Sequence, residues 1–422
     1  METRKLKIAM LSVHSCPIGE LGTKDTGGMN VYIRELAREL GSLGHLVDIY
    51  TRFHNPKDSQ IIELQKNVRL VHLRAGKNGG IHKLAIYPHL ADFFNGLEKF
   101  GKRQSFHYDL IHTHYWLSGK VGSWVQDSWD VPHVVMFHTL GAIKNITGVG
   151  EEEPELRIAT EKQLVKSCDR IIAPTEREKG ELMQYYDALP ETIGVVPCGV
   201  NLNLFRPLDK ASARQQLNMD PNEGIVLYVG RFAPLKGIDR LLKAMTFLQH
   251  CNPRLRLIII GGDAHNEPEF QELQRLAKKL GIKDTVTFAG RVEQEDLPSY
   301  YSAADLLVVP SYHESFGLVA LESLACGTPV VAAKVGAMET IVREGKTGSV
   351  LPNATHSLLA KKIETFILKA HTNTRSANSI RESVVKFCWS NIADAIVEEY
   401  RIVLNKRSFI GSNIPSKVTF QI

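Results

Sequence analysis

The sequence has little cysteine: six residues in a chain of 422, all far apart. None forms a Cys-x-x-Cys pair, which argues against a structural zinc site and against a disulfide framework. This usage suits a reducing compartment, so we expect a cytoplasmic protein. No run of the chain approaches the roughly 20 apolar residues of a membrane span. The N-terminal stretch Ile8–Val13 is also too short for the core of a signal peptide.

Basic clusters and two common cofactor signatures are missing as well. The formal net charge is a mild +5 and the lysines and arginines are dispersed, so nucleic-acid binding has little support. The first predicted strand is not followed by Gly-x-Gly-x-x-Gly, which weakens a nicotinamide-cofactor interpretation. No Asp-x-Asp pair occurs that could hold a metal on a diphosphate. We therefore expect neither a cofactor nor a metal.

Apolar runs alternate with amphipathic stretches such as Met29–Leu43, which predicts βαβ units and parallel sheets. The pattern stalls at Val195–Phe205 and then restarts, and the length suits two domains. We predict an α/β protein with two Rossmann-like domains, 1–197 and 198–388, that face a central cleft. A final helix at about 389–405 would pack back on the first domain. The predicted strands are Lys7–Val13, Leu46–Tyr50, Val68–Leu73, Leu110–His112, His133–Phe137, Arg170–Ala173, Ile225–Val229, Leu255–Ile260, Thr285–Phe288, Leu306–Val309 and Val330–Ala333.

Two carboxylates, Glu314 and Glu322, flank a Ser-Phe-Gly turn. The apolar run Asp305–Pro310 before them predicts a buried parallel strand, and Gly317–Gly327 predicts a helix that ends in a C-cap glycine. Such a strand–turn–helix unit aims backbone N–H groups and the positive end of the helix at a ligand above the sheet edge. The carboxylates can hold sugar hydroxyls around a bound phosphate, which suits a nucleotide-sugar.

Three other features follow predicted strands. The pair Gly27-Gly28 lets the backbone approach a diphosphate at the start of a helix, although a tight turn is its commoner role. Arg231 and Lys236 could stabilise the charge that builds on a departing diphosphate; two solvated surface cations are the plain alternative. His138 ends an apolar strand, where a ligand contact and a structural role are equally open.

Histidine and aromatic side chains gather near one further strand end. His112 and His114 point the same way if the strand is regular, which could suggest a metal site, but no third ligand is evident and we favour a structural role. Tyr115 and Trp116 could line an acceptor pocket or pack in the core.

With these motifs the chain resembles glycosyltransferase family 4 over roughly residues 5–405. The resemblance rests on the Gly-Gly-Met-Asn loop at 27–30, on Gly230–Gly237 and on the Glu-x7-Glu segment that begins at Glu314. It implies the GT-B fold and a metal-independent transfer of sugar from a nucleotide-sugar with retention of configuration. It also implies front-face attack, in which the leaving phosphate takes the acceptor's proton and no enzyme nucleophile is needed.

Within the family, three segments are similar to the enzymes that glycosylate D-inositol 3-phosphate, namely Gly22–Tyr32, Ile111–Gly122 and His138–Asn145. Asn30 then matches a residue that contacts the acceptor ring. Two cations and two hydroxyls would clamp the acceptor's phosphate. The positions that match this clamp are Lys83, Tyr115, Thr139 and Arg157. Sucrose-phosphate synthases share much of the layout and use fructose 6-phosphate, so a phosphorylated acceptor is better supported than its identity.

The resemblance also implies the donor contacts. Glu322 would bind the ribose hydroxyls and Glu314 the 3- and 4-hydroxyls of the sugar. Backbone N–H groups that would assist belong to Phe316, Gly317 and Leu318. Arg291 and the backbone of Val292 would lie beside the base, expected to be uracil, so that a UDP-sugar is the co-substrate. The implied catalytic set is Arg231, Lys236, Glu314 and His138. A non-catalytic nucleotide-sugar sensor is an alternative, and the oligomeric state, a homodimer among the options, stays open.

Overall fold

A computed structural model of the chain describes residues 4–21, 26–55, 57–76, 81–104, 107–262, 268–372 and 376–412. Part of the resemblance noted above, at 22–25, lies outside these residues. The strands are β1 (Lys7–Leu11), β2 (Leu46–Arg52), β3 (Ile61–Gln65), β4 (Val68–Leu73), β5 (Leu110–His114), β6 (His133–Met136), β7 (Arg170–Ala173), β8 (Ile193–Val195), β9 (Gly224–Val229), β10 (Leu255–Ile260), β11 (Val286–Gly290), β12 (Leu306–Val309), β13 (Val330–Ala333) and β14 (Gly348–Leu351).

Helices connect the strands and cover the sheets. They are α1 (Gly28–Ser42), α2 (Lys83–Ile86), α3 (Leu90–Gln104), α4 (Trp116–Trp129), α5 (Gly141–Ile146), α6 (Glu155–Ser167), α7 (Glu176–Tyr186), α8 (Lys210–Gln216), α9 (Ile238–Cys251), α10 (Pro268–Lys279), α11 (Leu297–Ala303), α12 (Leu318–Ala325), α13 (Met338–Ile341), α14 (His356–Thr372), α15 (Ala377–Glu382) and α16 (Trp389–Ser412). No helix among the described residues is long and apolar enough to cross a membrane.

Two sheets organise the fold, as the alternating pattern predicts. The first has the strand order β3-β4-β2-β1-β5-β6-β7-β8 and the second β11-β10-β9-β12-β13-β14. Neighbouring strands run parallel in both sheets except where β3 meets β4. The central strands are buried along nearly their whole length, because helices on both faces of a parallel sheet exclude water from it.

Every predicted strand is present, with ends that shift by up to two residues. Three strands were not predicted: β3, β8 and β14. They lie at the edges of the two sheets, where short or half-exposed segments give a weak apolar pattern.

The last helix joins the two halves of the molecule. One apolar cluster runs from Met10 in β1, through Trp389 and Ile396 in α16, to Leu227 in β9. The hydroxyl of Tyr400 in α16 also lies 2.7 Å from Nδ1 of a β5 histidine. α16 therefore packs on the first sheet, while the predicted domain boundaries at 197 and 388 stay a prediction.

The topology places ligand-binding edges opposite each other. Strand order reverses between β1 and β5 in the first sheet and between β9 and β12 in the second. In open parallel sheets, a crevice forms at such a switch point beyond the carboxyl ends of the strands. The segments that leave β1, β5, β9 and β12 carry most of the predicted site residues.

Candidate active site

An ion pair between Lys236 and Glu314 marks the carboxyl edge of the second sheet. Lys236 Nζ lies 2.6 Å from Glu314 Oε1, and the Ser311 hydroxyl donates to the same oxygen at 2.8 Å. Burial by itself would raise the pKa of Glu314, but Lys236 and Ser311 outweigh it and the pKa is lowered. Glu314 is therefore a carboxylate that can accept hydrogen bonds from sugar hydroxyls, and Lys236 neutralises it from one side.

Close backbone packing fixes this ion pair. Gly237 has φ of 66°, and a Cβ there would come within 2.3 Å of the carbonyl oxygen of Pro310. Only glycine adopts that conformation at so short an approach without strain. The turn that carries Lys236 is thereby held against the end of β12.

Arg231 faces the glycine loop of the first half. A Cβ on Gly27 would lie 3.7 Å from Nε of Arg231, and a Cβ on Gly28 would lie 3.4 Å from Cδ1 of Leu318. The glycine loop of the first half and Arg231 of the second half, both predicted to bind the diphosphate, therefore face each other at close range.

Asn30 holds the glycine loop in shape. Its side chain is buried; Oδ1 accepts from the Gly27 N–H at 2.9 Å, and Nδ2 donates to Ser15 Oγ at 2.7 Å and to the Cys16 carbonyl at 2.6 Å. These bonds tie the start of α1 to the loop after β1. The predicted contact of Asn30 with an acceptor ring stays a prediction.

The pKa of Glu322 is shifted in the opposite direction to that of Glu314. It lies buried in α12 and accepts a hydrogen bond from the Tyr301 hydroxyl at 2.8 Å. Burial raises the pKa of Glu322 to about 7, against the hydrogen bonds from Tyr301 and Gln294. Gln294 in turn accepts from Arg34 of α1. Glu322 thus lies where the two halves meet.

His138 occupies an unusual backbone conformation at the end of β6. Its φ of 60° lies in the left-handed region, which non-glycine residues adopt at a cost and often at functional sites. Its Nε2 is 3.0 Å from Nδ1 of His114, and its carbonyl accepts from the Ser315 hydroxyl of the second half. Burial lowers the pKa of His138 to about 3, so the imidazole is neutral.

The neighbouring histidines are buried beside His138. The rings of His112 and His114 lie 4.3 Å apart between centroids, as two residues on one side of a strand should. Nδ1 of His112 is paired with the Tyr400 hydroxyl. Among the residues that the structure describes, no group of three or more histidine, cysteine, aspartate or glutamate side chains could hold a metal ion. Trp116 packs in the core.

The four residues predicted to clamp a phosphate do come together, with Arg157 at their centre. This fully buried guanidinium donates from Nη1 to the Tyr115 hydroxyl at 3.1 Å and from Nη2 to Thr139 Oγ1 at 2.9 Å. Its Nε donates to Glu161 at 2.7 Å. The fourth residue, Lys83, is joined to Arg157 through the carboxylate of Glu153.

Glu153 and Lys144 belong to this cluster and were not predicted. Lys144 Nζ contacts the Oε1 of Glu153 that also binds Lys83. Burial, then the nearby cations Lys83, Arg157 and Arg231, lower the pKa of Lys144 to about 7. Neither residue carried a signal in the sequence, because Glu153 precedes α6 and stands in a run of three glutamates.

The remaining residues predicted to bind the donor lie in the loop after β11 and in the turn that begins α12. Arg291 pairs through Nη1 with Glu20 of the first half at 2.7 Å and through Nη2 with Glu293 at 2.8 Å. Val292 packs against the apolar cluster that joins the halves, and Phe316 is buried within it. Gly317, with φ of 103°, begins α12, whose first residue is Leu318.

Two family models match the chain. Residues 26–204 match "Glycosyltransferase Family 4" and residues 209–383 match "Glycosyl transferases group 1". The chain is also 40% identical over 408 residues to D-inositol 3-phosphate glycosyltransferase 2 of Catenulispora acidiphila, covering 95% of this chain and 96% of that protein. The chain belongs to glycosyltransferase family 4. A second relative of this family 4 enzyme, the D-inositol 3-phosphate glycosyltransferase of Corynebacterium glutamicum, is 37% identical over 96% of this chain and 99% of its own.

Solved structures confirm the GT-B fold. Sucrose-phosphate synthase from Thermosynechococcus elongatus superposes with a TM-score of 0.87 at 35% identity, covering 96% of this chain and 100% of that one. Anabaena Alr3699/HepE, solved with UDP-glucose, gives a TM-score of 0.74 at 22% identity, with 94% and 100% coverage. The second comparison shows the fold alone.

Proposed function

We propose that this family 4 enzyme moves a hexose or N-acetylhexosamine from a UDP-sugar to a hydroxyl of a phosphorylated polyol, with retention of configuration and without a metal. One observation carries the proposal: Lys83, Lys144 and Arg157 converge, with the hydroxyls of Tyr115 and Thr139, beside the switch point of the first sheet. The cluster holds three cations against two carboxylates, Glu153 and Glu161, and this excess of positive charge would favour an anionic ligand such as a phosphate.

On the donor side, the diphosphate would lie in the gap between the Gly27-Gly28 backbone and Arg231. The guanidinium and Lys236 would offset the charge that grows on the leaving diphosphate, which stabilises the transition state more than the ground state. Glu314 would accept hydrogen bonds from the sugar, and Glu322 from the ribose. The base would lie near Arg291 and Val292.

The transfer needs no enzyme nucleophile. The bond from C1 of the sugar to the UDP oxygen breaks, and the acceptor oxygen bonds to C1 on the same face. The proton of the acceptor hydroxyl passes to the departing phosphate oxygen. Neutral His138, whose carbonyl is tied to Ser315 of the other half, would help close the site against water.

Inositol phosphate is the acceptor we favour, because the relatives named for it reach 40% identity along 95% of the chain. Fructose 6-phosphate is the second candidate, because the sucrose-phosphate synthase structure superposes with a TM-score of 0.87. Both compounds present a phosphate and several hydroxyls, so the clamp alone does not separate them.

The first test is UDP release in the presence of EDTA. UDP-glucose and UDP-N-acetylglucosamine are each incubated with inositol 3-phosphate, fructose 6-phosphate or the unphosphorylated forms. Release that requires the phosphorylated acceptor and persists in EDTA supports the proposal, and product analysis names the pair. Release with unphosphorylated acceptors alone would overturn the clamp. UDP binding without turnover on any acceptor would favour a sensor.

A paired variant tests the donor assignment. Lys236→Ala should lower turnover by roughly 100-fold or more, as loss of one charge-stabilising donor does elsewhere. Lys243→Ala is the matched control, since Lys243 is exposed and pairs only with Asp239 on the same helix. Wild-type turnover in Lys236→Ala would remove Lys236 from the catalytic set.

A further inference from the structure

The carboxylate of Glu153 occupies the centre of the cation cluster. Lys83 Nζ lies 3.3 Å from its Oε1, Lys144 contacts the same oxygen, and Arg157 Nη1 lies 3.0 Å from its Oε2. The Glu153 side chain is only 5% exposed. The two preceding residues, Glu151 and Glu152, are exposed to water.

The backbone of Glu153 is held in place independently of its carboxylate. Asn145 Nδ2 donates to the Glu153 carbonyl at 2.9 Å, and the Glu153 N–H donates to Asn145 Oδ1 at 2.7 Å. Pro154 follows and fixes its own φ at the start of α6. The loop therefore presents this one glutamate to the cluster while its neighbours stay in solvent.

Arg157 does not need Glu153 as its counter-ion. Glu161 is fully buried and bonds Nε of Arg157 at 2.7 Å. Glu153 is thus a second carboxylate on Arg157, and it also pairs with Lys83 and Lys144, whose side chains are partly exposed while that of Arg157 is not. A carboxylate on such a pair takes the place that a phosphate oxygen would take.

We propose that Glu153 is an internal anion that holds Lys83 and Lys144 in the empty site and yields them to the acceptor's phosphate. The inference rests on the proposed function, because it requires a phosphorylated acceptor. A phosphate dianion carries more charge than a carboxylate and offers more acceptor oxygens, so it can displace Glu153 from both lysines. Glu153 then stays paired with Arg157 alone. The cluster therefore selects ligands that carry more negative charge than the Glu153 carboxylate.

Inorganic phosphate is the probe, titrated into the protein without nucleotide by calorimetry. Glu153→Gln keeps the shape of the side chain and removes its charge, so phosphate should bind at least tenfold more tightly than to wild type. Glu152→Gln makes the same change of net charge on the exposed neighbour and should leave the affinity within about twofold. Adding Lys83→Met to Glu153→Gln should abolish the gain in phosphate affinity. That result would show that the additional affinity arises at this cluster and not on the donor side.

A second variant covers the case in which Glu153→Gln fails to fold. Asn145→Ala removes the two bonds that fix the Glu153 backbone and leaves every charge in place, so it should also bind phosphate more tightly. Circular dichroism confirms that each variant is folded. If wild type binds phosphate and neither variant binds it more tightly, Glu153 does not compete with phosphate. The inference then fails, while the proposed function stands. If no form binds phosphate, the phosphorylated acceptor fails and the inference falls with it.

Discussion

At the scale of single residues, Arg157 combines two roles. Its guanidinium is fully buried and pairs with both Glu153 and Glu161, although Glu153 also pairs with Lys83 and Lys144. Removing one member of a buried ion pair leaves the other charge unpaired in a medium of low polarity. The sequence motif indicates only the ligand-binding role, because Tyr115 and Thr139, which complete its hydrogen bonds, come from distant strands.

Arg157→Met should therefore lower the free energy of unfolding by about 3–5 kcal/mol, as breaking a buried pair does. Urea denaturation measures it. Lys83→Met is the control: the Lys83 side chain is 26% exposed, and Glu153 keeps two other cations, so its loss should cost no more than about 1 kcal/mol. Equal stability of Arg157→Met and wild type would show that the two carboxylates do not depend on this cation.

Glu178 in α7 predicts a pH dependence of stability. It is buried, its Oε1 has no hydrogen-bond partner, and burial raises the pKa to about 8 from an ordinary value of 4.5. The folded state then binds a proton that the unfolded state has lost, so Glu178 lowers stability as pH rises from about 4.5 to 8. Within that window, each pH unit lowers the free energy of unfolding by about 1.4 kcal/mol.

Glu178→Gln should match wild type near pH 5 and become more stable than wild type at pH 8. Thermal unfolding at the two pH values measures the difference. Glu176→Gln, exposed on the same helix, should show no such divergence. A constant gap between wild type and Glu178→Gln at all pH values would mean that the carboxyl does not titrate in this window.

Glu153 shows where prediction from sequence stops at the scale of single residues. Tyr115 and Thr139 lie in segments that match the family by motif, and Lys83 and Arg157 were matched through the wider resemblance. Glu153 sits in a run of three glutamates, a pattern typical of a solvated loop. Its burial depends on cations 70 residues before it and four after it, and only the fold brings these together.

At the scale of elements, the central strands were predictable and the edge strands were not. β9 and β12 are buried on both faces and give unbroken apolar runs. β3 is half-exposed and polar at alternate positions, and it pairs only with β4. β8 has three residues. β3 and β8 become strands because they pair with a neighbouring strand, and the apolar pattern of their own residues does not indicate that pairing.

Gly237→Ala tests how tightly the turn before α9 places Lys236. In the variant, the alanine would have a positive φ and a Cβ 2.3 Å from the Pro310 carbonyl oxygen, so the turn should move. Turnover should then fall by roughly 100-fold, as expected when a catalytic group is misplaced by about 1 Å. Gly281→Ala is the control: its φ is 72°, but nothing lies within 4 Å of the added carbon. It should lose about 1 kcal/mol of stability and keep its turnover.

Kinetics and urea denaturation on the two glycine variants separate these effects. Equal turnover in both, with equal loss of stability, would mean that Lys236 does not need this turn geometry. A loss of turnover in Gly281→Ala would instead point to a general effect of strain.

At the scale of the whole molecule, the two halves are joined in unlike ways. An apolar cluster through α16 connects them on one side. On the cleft side, the contacts among the described residues include single polar ones: Ser315 with the His138 carbonyl, Arg291 with Glu20, Arg34 with Gln294, and Arg177 with the Lys334 carbonyl. Partly exposed polar contacts contribute little each. The apolar side is therefore suited to act as the hinge, and the cleft side to open.

We expect ligands to complete the closure that these weak contacts begin. A diphosphate between Gly27 and Arg231 would bridge the two halves, draw them together and expel water from the cleft. Small-angle scattering should show a smaller radius of gyration with UDP and a phosphorylated acceptor than without ligand. Uridine is the control, because it lacks the diphosphate and should leave the dimensions unchanged. Identical dimensions in all three states would mean that the cleft binds its ligands as a rigid site.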